Sequence, residues 1–512
     1  MKNQYYRPVW TCGRYDEKTK TALYYNLIEG LVHYFIDESA QVIGIILRAG
    51  RNNAFLVEDI VKETGLDSSC VSDFLEMLAN NNLITEQIPT KESIKHYREL
   101  LSKLKIDNST SKNETIHEKL PFETSNAEMS YSERVGGVLG VMFEMTYRCS
   151  EKCVHCYNPG ATRNDSEESH RGEREEMTFD DYKRIINDLY DNGLVKVCLS
   201  GGDPFSNSCT WEVIDYLYQK DIAFDIFTNG QSIVNDVKRL ADYFPRLVGV
   251  SIYSGNAEEH DKITRIKGSW EKSISVVSQL SELSVPMNIK CCVMRPNLPH
   301  YYEVDDIARK YGAKSQFEVS LSDSVEGDRC VSKFLRLSEE QMEVVLRDGN
   351  VPLYVGKEAP NYGSIPREPQ ARLCGAGESG FCVTPEGNLI PCCSFHLVFG
   401  NIKETPFSKI IENSQSRRNW LECTYSMTTD CGKYDYCEYC NLCAGNNYSE
   451  HGNYLMPAST NCWLAKVRHN LANKMKQGYD PLCGISLPEA ISKLETQENK
   501  NISRIFKSDD EN

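Results

Sequence analysis

Between residues 138 and 320 six short strand-like runs alternate with stretches of helical periodicity, and this alternation restricts the possible fold more than any other feature of the chain. The runs fall at 138–145, 195–199, 224–228, 248–252, 287–293 and 316–320. After the first of them, residues 178–191 place Phe179, Tyr182, Ile185, Ile186 and Leu189 on one helical face. Strand and helix repeating in this way predict an α/β fold, a parallel sheet curled into a partial (β/α)6 TIM-like barrel, with ligands at the carboxyl ends of its strands.

A length of 512 residues leaves room for about two further domains. The expected division is a small first domain at 1–105, a flexible linker at 106–134, the barrel at 135–330, a bridging region at 331–373, a cysteine-rich domain at 374–470, and a helix with a polar tail at 471–512. Residues 23–35 read as a hairpin turning at Glu29-Gly30, and helical patterns follow at 40–47, 56–62 and 69–80. A hairpin with three helices predicts a winged-helix-like module. Such modules often bind DNA, yet here Glu58, Asp59, Glu63, Asp67, Asp73 and Glu76 face a single Lys62, the wrong charge for meeting phosphates. The linker stretch is rich in Asn, Ser, Thr, Glu and Lys, too polar to bury a core, and predicts a tether that carries the first domain toward a distant site. A second polar insertion, residues 161–176, reads as a surface loop or a lid.

Directly after the first strand comes Met145-Thr146-Tyr147-Arg148-Cys149-Ser150-Glu151-Lys152-Cys153-Val154-His155-Cys156-Tyr157. Zinc bound by the three thiols and His155 is one reading, although structural zinc loops favour paired Cys-x2-Cys ligands. The other is a cubane iron-sulfur cluster, which takes four ligands and so keeps one iron open when a loop supplies three. The Cys-x3-Cys-x2-Cys spacing, with His155 before the third Cys, resembles the signature of radical S-adenosylmethionine (SAM) enzymes. That resemblance implies that Cys149, Cys153 and Cys156 hold a [4Fe-4S] cluster whose open iron chelates SAM, with His155 beside the cofactor, and that an electron from the cluster releases a 5′-deoxyadenosyl radical.

Further strand ends extend the resemblance. Ser200-Gly201-Gly202-Asp203-Pro204 is similar to the family's Gly-Gly-Glu-Pro turn, which binds the SAM amino group through backbone and acid; Asp replaces Glu here, a shorter arm. Phe227-Thr228-Asn229-Gly230 resembles a Thr-Asn-Gly strand end lining the same pocket, and Ser251 and Arg265 stand where the family contacts the SAM carboxylate.

The remaining cysteines crowd the end of the chain: Cys374, Cys382, Cys392, Cys393, Cys423, Cys431, Cys437, Cys440, Cys443 and Cys462. So many soft thiolates select zinc or iron-sulfur, a zinc ribbon being the plainer reading. Their order resembles the SPASM extension of radical SAM enzymes, with Cys374, Gly387 and Cys392 fitting its first part and Cys462 its last. The quartet Cys431, Cys437, Cys440 and Cys443 departs from the usual spacing. The resemblance implies two auxiliary [4Fe-4S] clusters, one on Cys374, Cys392, a member of the quartet and optionally Cys382, the other on the rest with Cys462. Three clusters and SAM are therefore the expected cofactors.

A net charge of −16 argues against nucleic acid, no apolar run is long enough to span a bilayer, and no signal core opens the chain, so a cytoplasmic protein is expected. There, 21 cysteines point to metal rather than disulfides, while Cys70, Cys198 and Cys291 lie in apolar patterns and read as small buried hydrophobes. The first domain resembles in layout the RiPP recognition element, which binds the leader of a ribosomally made precursor peptide as an added strand. Together these resemblances imply a peptide maturase served by a flavodoxin- or ferredoxin-like electron donor, with thioether crosslinking first, carbon-carbon (cyclophane-type) crosslinking or epimerisation next, and oxidation like that of anaerobic sulfatase maturases third. The last is disfavoured because Cys393 stands where that family has a catalytic Asp. A non-catalytic iron-sulfur sensor that binds DNA is the reading from another class. No catalytic side chain is assigned.

Overall fold

The structure, a computed structural model, describes residues 3–110, 125–158, 175–322, 334–356 and 368–494. The polar insertion at 161–174, the middle of the expected linker at 111–124 and the tail at 495–512 lie outside the described residues.

The expected strands form where the apolar runs lie: β6 (Gly140–Glu144), β7 (Lys196–Ser200), β8 (Ala223–Thr228), β9 (Leu247–Ser251), β10 (Met287–Cys292) and β11 (Lys314–Glu318). Each pairs in parallel with the next. Alternate residues, among them Val141, Phe143, Val197, Leu199, Val248 and Ile289, pack into the main core with the crossover helices. Helix α6 (Phe179–Asp191) buries Tyr182, Ile185, Ile186 and Leu189 as its periodicity predicts, and starts at a capping box between Thr178 and Asp181.

The cysteine-rich region is not a separate layer. Strand β12 (Gly380–Val383) pairs in parallel with β6, and β13 (Asn388–Ile390) and β14 (Gly400–Asn401) continue the sheet, giving the order β11-β10-β9-β8-β7-β6-β12-β13-β14. Cys393 lies within electrostatic reach of both Cys382 on β12 and Lys290 on β10. Those strands are five positions apart, about 24 Å in a flat sheet. The sheet therefore curls around Cys393, making an inner face opposite the helices.

At the start of the chain, β1 (Gln4–Tyr6) pairs with β5 (Ala54–Leu56), while β2 (Thr11–Asp16), β3 (Thr21–Asn26) and β4 (Leu31–Ile36) form an antiparallel sheet that contains the expected hairpin. Helices α1 (Asp37–Ala49), α2 (Val57–Thr64) and α3 (Ser68–Asn80) cover one face of it through Ile43, Ile46, Ile60, Val71 and Leu75. Cys70, expected to be buried, is exposed on α3.

The module packs against the barrel. The other face of its sheet, with Trp10, Leu23, Tyr25 and Ile28, packs on Leu139, Val195, Ala223 and Phe244 at the amino ends of the barrel strands. Fully buried Arg7 forks onto Asp221 (2.8 and 2.7 Å), which also takes Arg51 at 3.0 Å. Residues 126–134, expected in the linker, belong instead to helix α5 (Asn126–Val135), opened by a capping box from Ser125 to Glu128. Glu128 is buried and bridges module and barrel, accepting from Tyr25 Oη at 2.8 Å and from Lys196 Nζ at 2.8 Å. Burial alone would raise its pKa, but Lys196 and Arg246 overcome this and hold it below the usual carboxylate value. No helix among the described residues is long and apolar enough to cross a membrane.

Candidate active site

The cysteine loop leaves the end of β6 and is held from two sides. Lys152 N donates to Thr264 O (3.0 Å) and Val154 N to Ile263 O (2.9 Å), so helix α9 (Ala257–Thr264) supports its outer edge. The Gly201-Gly202 turn supports its inner edge, Gly202 N donating to Thr146 O at 2.6 Å. Only glycine fits there: a Cβ would stand 2.4 Å from Thr146 O at residue 201, where φ is 121°, and 2.3 Å from Arg148 O at residue 202.

Asp203 joins two strand ends. It is fully buried, with Oδ2 accepting from Thr228 Oγ1 (2.6 Å) and Asn229 N (3.0 Å) and Oδ1 from Phe205 N (3.0 Å). It thus clasps the end of β7 to the end of β8, and Thr228 is the other half of the clasp, receiving Gly230 N at 3.0 Å. The clasp aims Asn229, whose Nδ2 donates to Cys149 Sγ at 3.3 Å. Asn229, the middle residue of the Thr-Asn-Gly strand end, is thus brought against the first thiol of the loop.

His155 is half-buried, edge-on against Tyr253 (centroids 4.5 Å apart), and Tyr253 stacks on His260 at 5.5 Å. Burial lowers both imidazoles to about 4, so they are neutral at neutral pH. Ser251 lies half-buried at the end of β9, while Arg265, in the left-handed region at the end of α9, is exposed beside the loop. Glu151, unremarked in the sequence reading, is buried, accepts from Cys153 Sγ at 3.4 Å and is pushed by burial up to about 8.

Two observations test whether this pocket fits a cluster with SAM. Around the loop, Glu151 Oε1, His155 Nδ1, Asn158 Oδ1, Gln231 Oε1 and His260 Nε2 are buried without a hydrogen-bond partner, the pattern left by a polar ligand. Burial also drives the Cys149 thiol up to about 12, so its thiolate needs a cation beside it. The residues fit the group.

The later cysteines fall into two sets. Cys374 and Cys443 are both charge neighbours of Cys392. Cys431, Cys437, Cys440 and Cys462 line a second cavity with Tyr425, Tyr436 and Leu442. No three His, Cys, Asp or Glu side chains among the described residues converge as a single metal ion requires. Cys382, a candidate ligand, is fully buried on β12 with Glu144, Cys393, Cys392 and Cys198 as its charge neighbours, facing the inner side of the sheet rather than Cys374 and Cys443.

That inner face holds a cavity of about 410 Å³ lined by residues of β6, β7, β8 and β12, including Met142, Cys198, Asp225, Phe227 and Cys382, with Cys392 and Cys393. Cys198 is therefore a cavity thiol, not core filler. Lys290 places its ammonium 3.3 Å from the centroid of the Phe227 ring, in space opened by Gly249, where a Cβ would lie 3.0 Å from Lys290 Cε.

Two family models match the chain, the Radical SAM superfamily over residues 143–309 and the SPASM iron-sulfur cluster-binding domain over residues 374–444. The chain is a radical SAM enzyme with an SPASM domain. It is 26% identical over 337 residues to an AdoMet-dependent heme synthase of Methanosarcina barkeri, a match covering 62% of this chain and 93% of that one. It is 25% identical over 312 residues to the subtilosin biosynthesis protein AlbA of Bacillus subtilis, covering 60% and 66% respectively. Its fold is similar to that of SuiB of Streptococcus suis bound to S-adenosylmethionine, with a TM-score of 0.52 at 14% identity over 88% of this chain and 98% of that one. The same protein bound to its precursor peptide SuiA gives 0.50, again at 14% identity, over 89% and 99%. The first match falls on the sheet and cysteine loop, and the second spans β12, β13 and Cys392 to Cys443.

Proposed function

We propose that this radical SAM enzyme modifies a ribosomally made precursor peptide, forming a thioether crosslink. The observation that carries the reading is the cavity on the inner face of the sheet, bounded by Cys392 and Cys393 and lined largely by small residues such as Gly140, Gly375, Ala376, Ser379 and Gly380. An extended chain fits beside so many residues without bulky side chains, and the open iron of the first cluster would lie at the carboxyl ends of the same strands. Cys149, Cys153 and Cys156 would hold that cluster, which with SAM supplies hydrogen-atom abstraction from carbon. Cys374, Cys392 and Cys443 would hold one auxiliary cluster, and Cys431, Cys437, Cys440 and Cys462 the other.

The chain's own residues do the positioning. Asn229 orients Cys149, Asp203 and Thr228 fix Asn229, and His155 with Tyr253 forms an apolar wall beside the third thiol. The leader would add to β4, the edge of the three-stranded sheet, where Leu31 and Ile36 are exposed (49% and 41%). A flavodoxin- or ferredoxin-like protein would supply electrons.

Relatives that make heme raise the alternative of a small-molecule substrate, yet the heme synthase match leaves over a third of this chain unaccounted for. The likeness to SuiB spans 88% of the chain, so it must include part of the first 110 residues. Co-expression with the short open reading frame beside the gene, followed by mass spectrometry, tests the reading. Loss of two hydrogens at a Cys supports a thioether, the same loss without Cys a carbon-carbon bond, and unchanged mass with deuterium uptake epimerisation. An unmodified peptide refutes it.

A further inference from the structure

Glu144 has no part in the account so far, though it stands at the centre of the inner face. Alternate residues of a strand share a face, so Glu144 lies on the face of β6 that carries Met142, toward the cysteine loop, and it is a charge neighbour of Cys382 and Cys393, both of which line the cavity. Its side chain is buried, with 1% of the residue exposed. Oε2 accepts from Tyr147 Oη at 2.9 Å, whereas Oε1 has no hydrogen-bond partner. A buried carboxyl oxygen left without a donor costs about 1–3 kcal/mol or more, and such an atom is held in place for a ligand.

We propose that Glu144 is the proton acceptor of the bond-forming step, an assignment that rests on the peptide-modification reading above. Once a hydrogen atom has left the substrate carbon, joining that carbon to a thiol sulfur forms a C–S bond and breaks the S–H bond. One proton and one electron must then leave. The proton goes to Glu144 Oε1 and the electron to a one-electron acceptor of the iron-sulfur class, so the peptide loses two hydrogens per bond.

The other acids of the region are placed differently: two are fully engaged, and Glu151, although its Oε1 is also without a partner, sits inside the cluster loop itself. Asp203 is tied to Thr228, Asn229 and Phe205. Asp225 is forked by Arg246 (Nε at 2.9 Å), and Glu151 faces Cys153 within the cluster loop. The titratable groups facing Glu144 are Tyr147 and Tyr157 of the cysteine loop, Cys382 of β12, Glu386 of the turn after it, and Cys393 after β13. Burial pushes the carboxyl up to about 7, the Tyr147 hydrogen bond pulling it down and Glu386 adding to the rise. It is thus partly ionised at neutral pH and matched to a base that must take up and return a proton.

The test compares Glu144→Gln and Glu144→Asp with the parent enzyme, on the peptide from the co-expression experiment carrying deuterium at the abstracted position. Deuterated 5′-deoxyadenosine counts abstractions, and the two-hydrogen mass loss counts bonds. The Gln variant should abstract within about threefold of the parent but crosslink about a hundredfold or more slowly. The Asp variant should crosslink with its pH profile moved to lower pH. By infrared difference spectroscopy the protein without peptide should show a protonated carboxyl band, absent from the Gln variant, that titrates near neutrality. Crosslinking by the Gln variant within tenfold of the parent, equal loss of abstraction and crosslink, or a band titrating in the ordinary carboxylate range would each overturn the assignment. A parent enzyme that leaves the peptide unmodified instead overturns the reading on which it rests.

Discussion

Replacing Asp221 by Ala strips the buried Arg7 guanidinium of both its carboxylate contacts and removes the 3.0 Å partner of Arg51. Arg7 keeps only carbonyl acceptors, Leu47 O at 3.0 Å and Thr11 O at 3.3 Å, and with its side chain 0% exposed it cannot turn to water. Breaking a buried pair from one side costs about 3–5 kcal/mol. The penalty falls on the contact between module and barrel, because Asp221 follows helix α7 (Thr210–Gln219) while Arg7 follows β1. Amide exchange of β2 and β3, read by mass spectrometry after peptic digestion, should accelerate by about two orders of magnitude or more, since each 1.4 kcal/mol is a factor of ten. Exchange in β9 and β10 should not change. A second substitution, Arg7→Met, in the Asp221→Ala background should recover most of the loss, because it removes the stranded charge instead of restoring a partner. Acceleration under about fivefold, or no recovery in the double variant, would refute the claim that this ion pair clamps the module.

Four further outcomes are expected. Gly202→Ala forces a Cβ to 2.3 Å from Arg148 O, so it should fold yet lose iron at the first cluster, seen as a drop of about four irons from about twelve after anaerobic reconstitution. The same loss is expected of Cys431→Ala and of Cys374→Ala, each emptying one auxiliary set, while Cys382→Ala should retain all the iron. Gly249→Ala, with its Cβ 2.8 Å from Phe227 Cδ1 and Asn288 Oδ1, should lower stability by about 1–3 kcal/mol in urea titrations and displace Lys290. Acid should loosen the module: Glu128 is depressed in the native protein, so its stabilisation is complete above the unfolded value of 4.5 and is lost as pH falls through the native one, and faster proteolysis between module and barrel should report it.

The barrel was legible because its strands are short runs rich in apolar residues, spaced by stretches of helical periodicity, signals local to a few residues. The cysteine sets were legible by order along the chain. Strand β12 was not, because Cys382 and its neighbours read as metal ligands, and the pairing of Gly380 with Gly140 spans the chain. Helix α5 was hidden by its polar composition, although Ser125-Asn126-Ala127-Glu128 is a capping-box sequence that could have been read. Its Glu128 looks like a solvated charge until Lys196, 68 residues away, is placed beside it. The clasp made by Asp203 was hidden for a similar reason: a motif names the residue type at a strand end, whereas the partners of that residue depend on the next strand.

The module seats on the amino ends of the barrel strands, and the cysteine loop leaves their carboxyl ends. Under the proposed seating of the leader on β4, leader and core would be held toward opposite ends of strands that span about 17 Å in β6, five residues at about 3.3 Å each. Residues inserted between leader and core should then move the modified position along the peptide instead of slowing its modification.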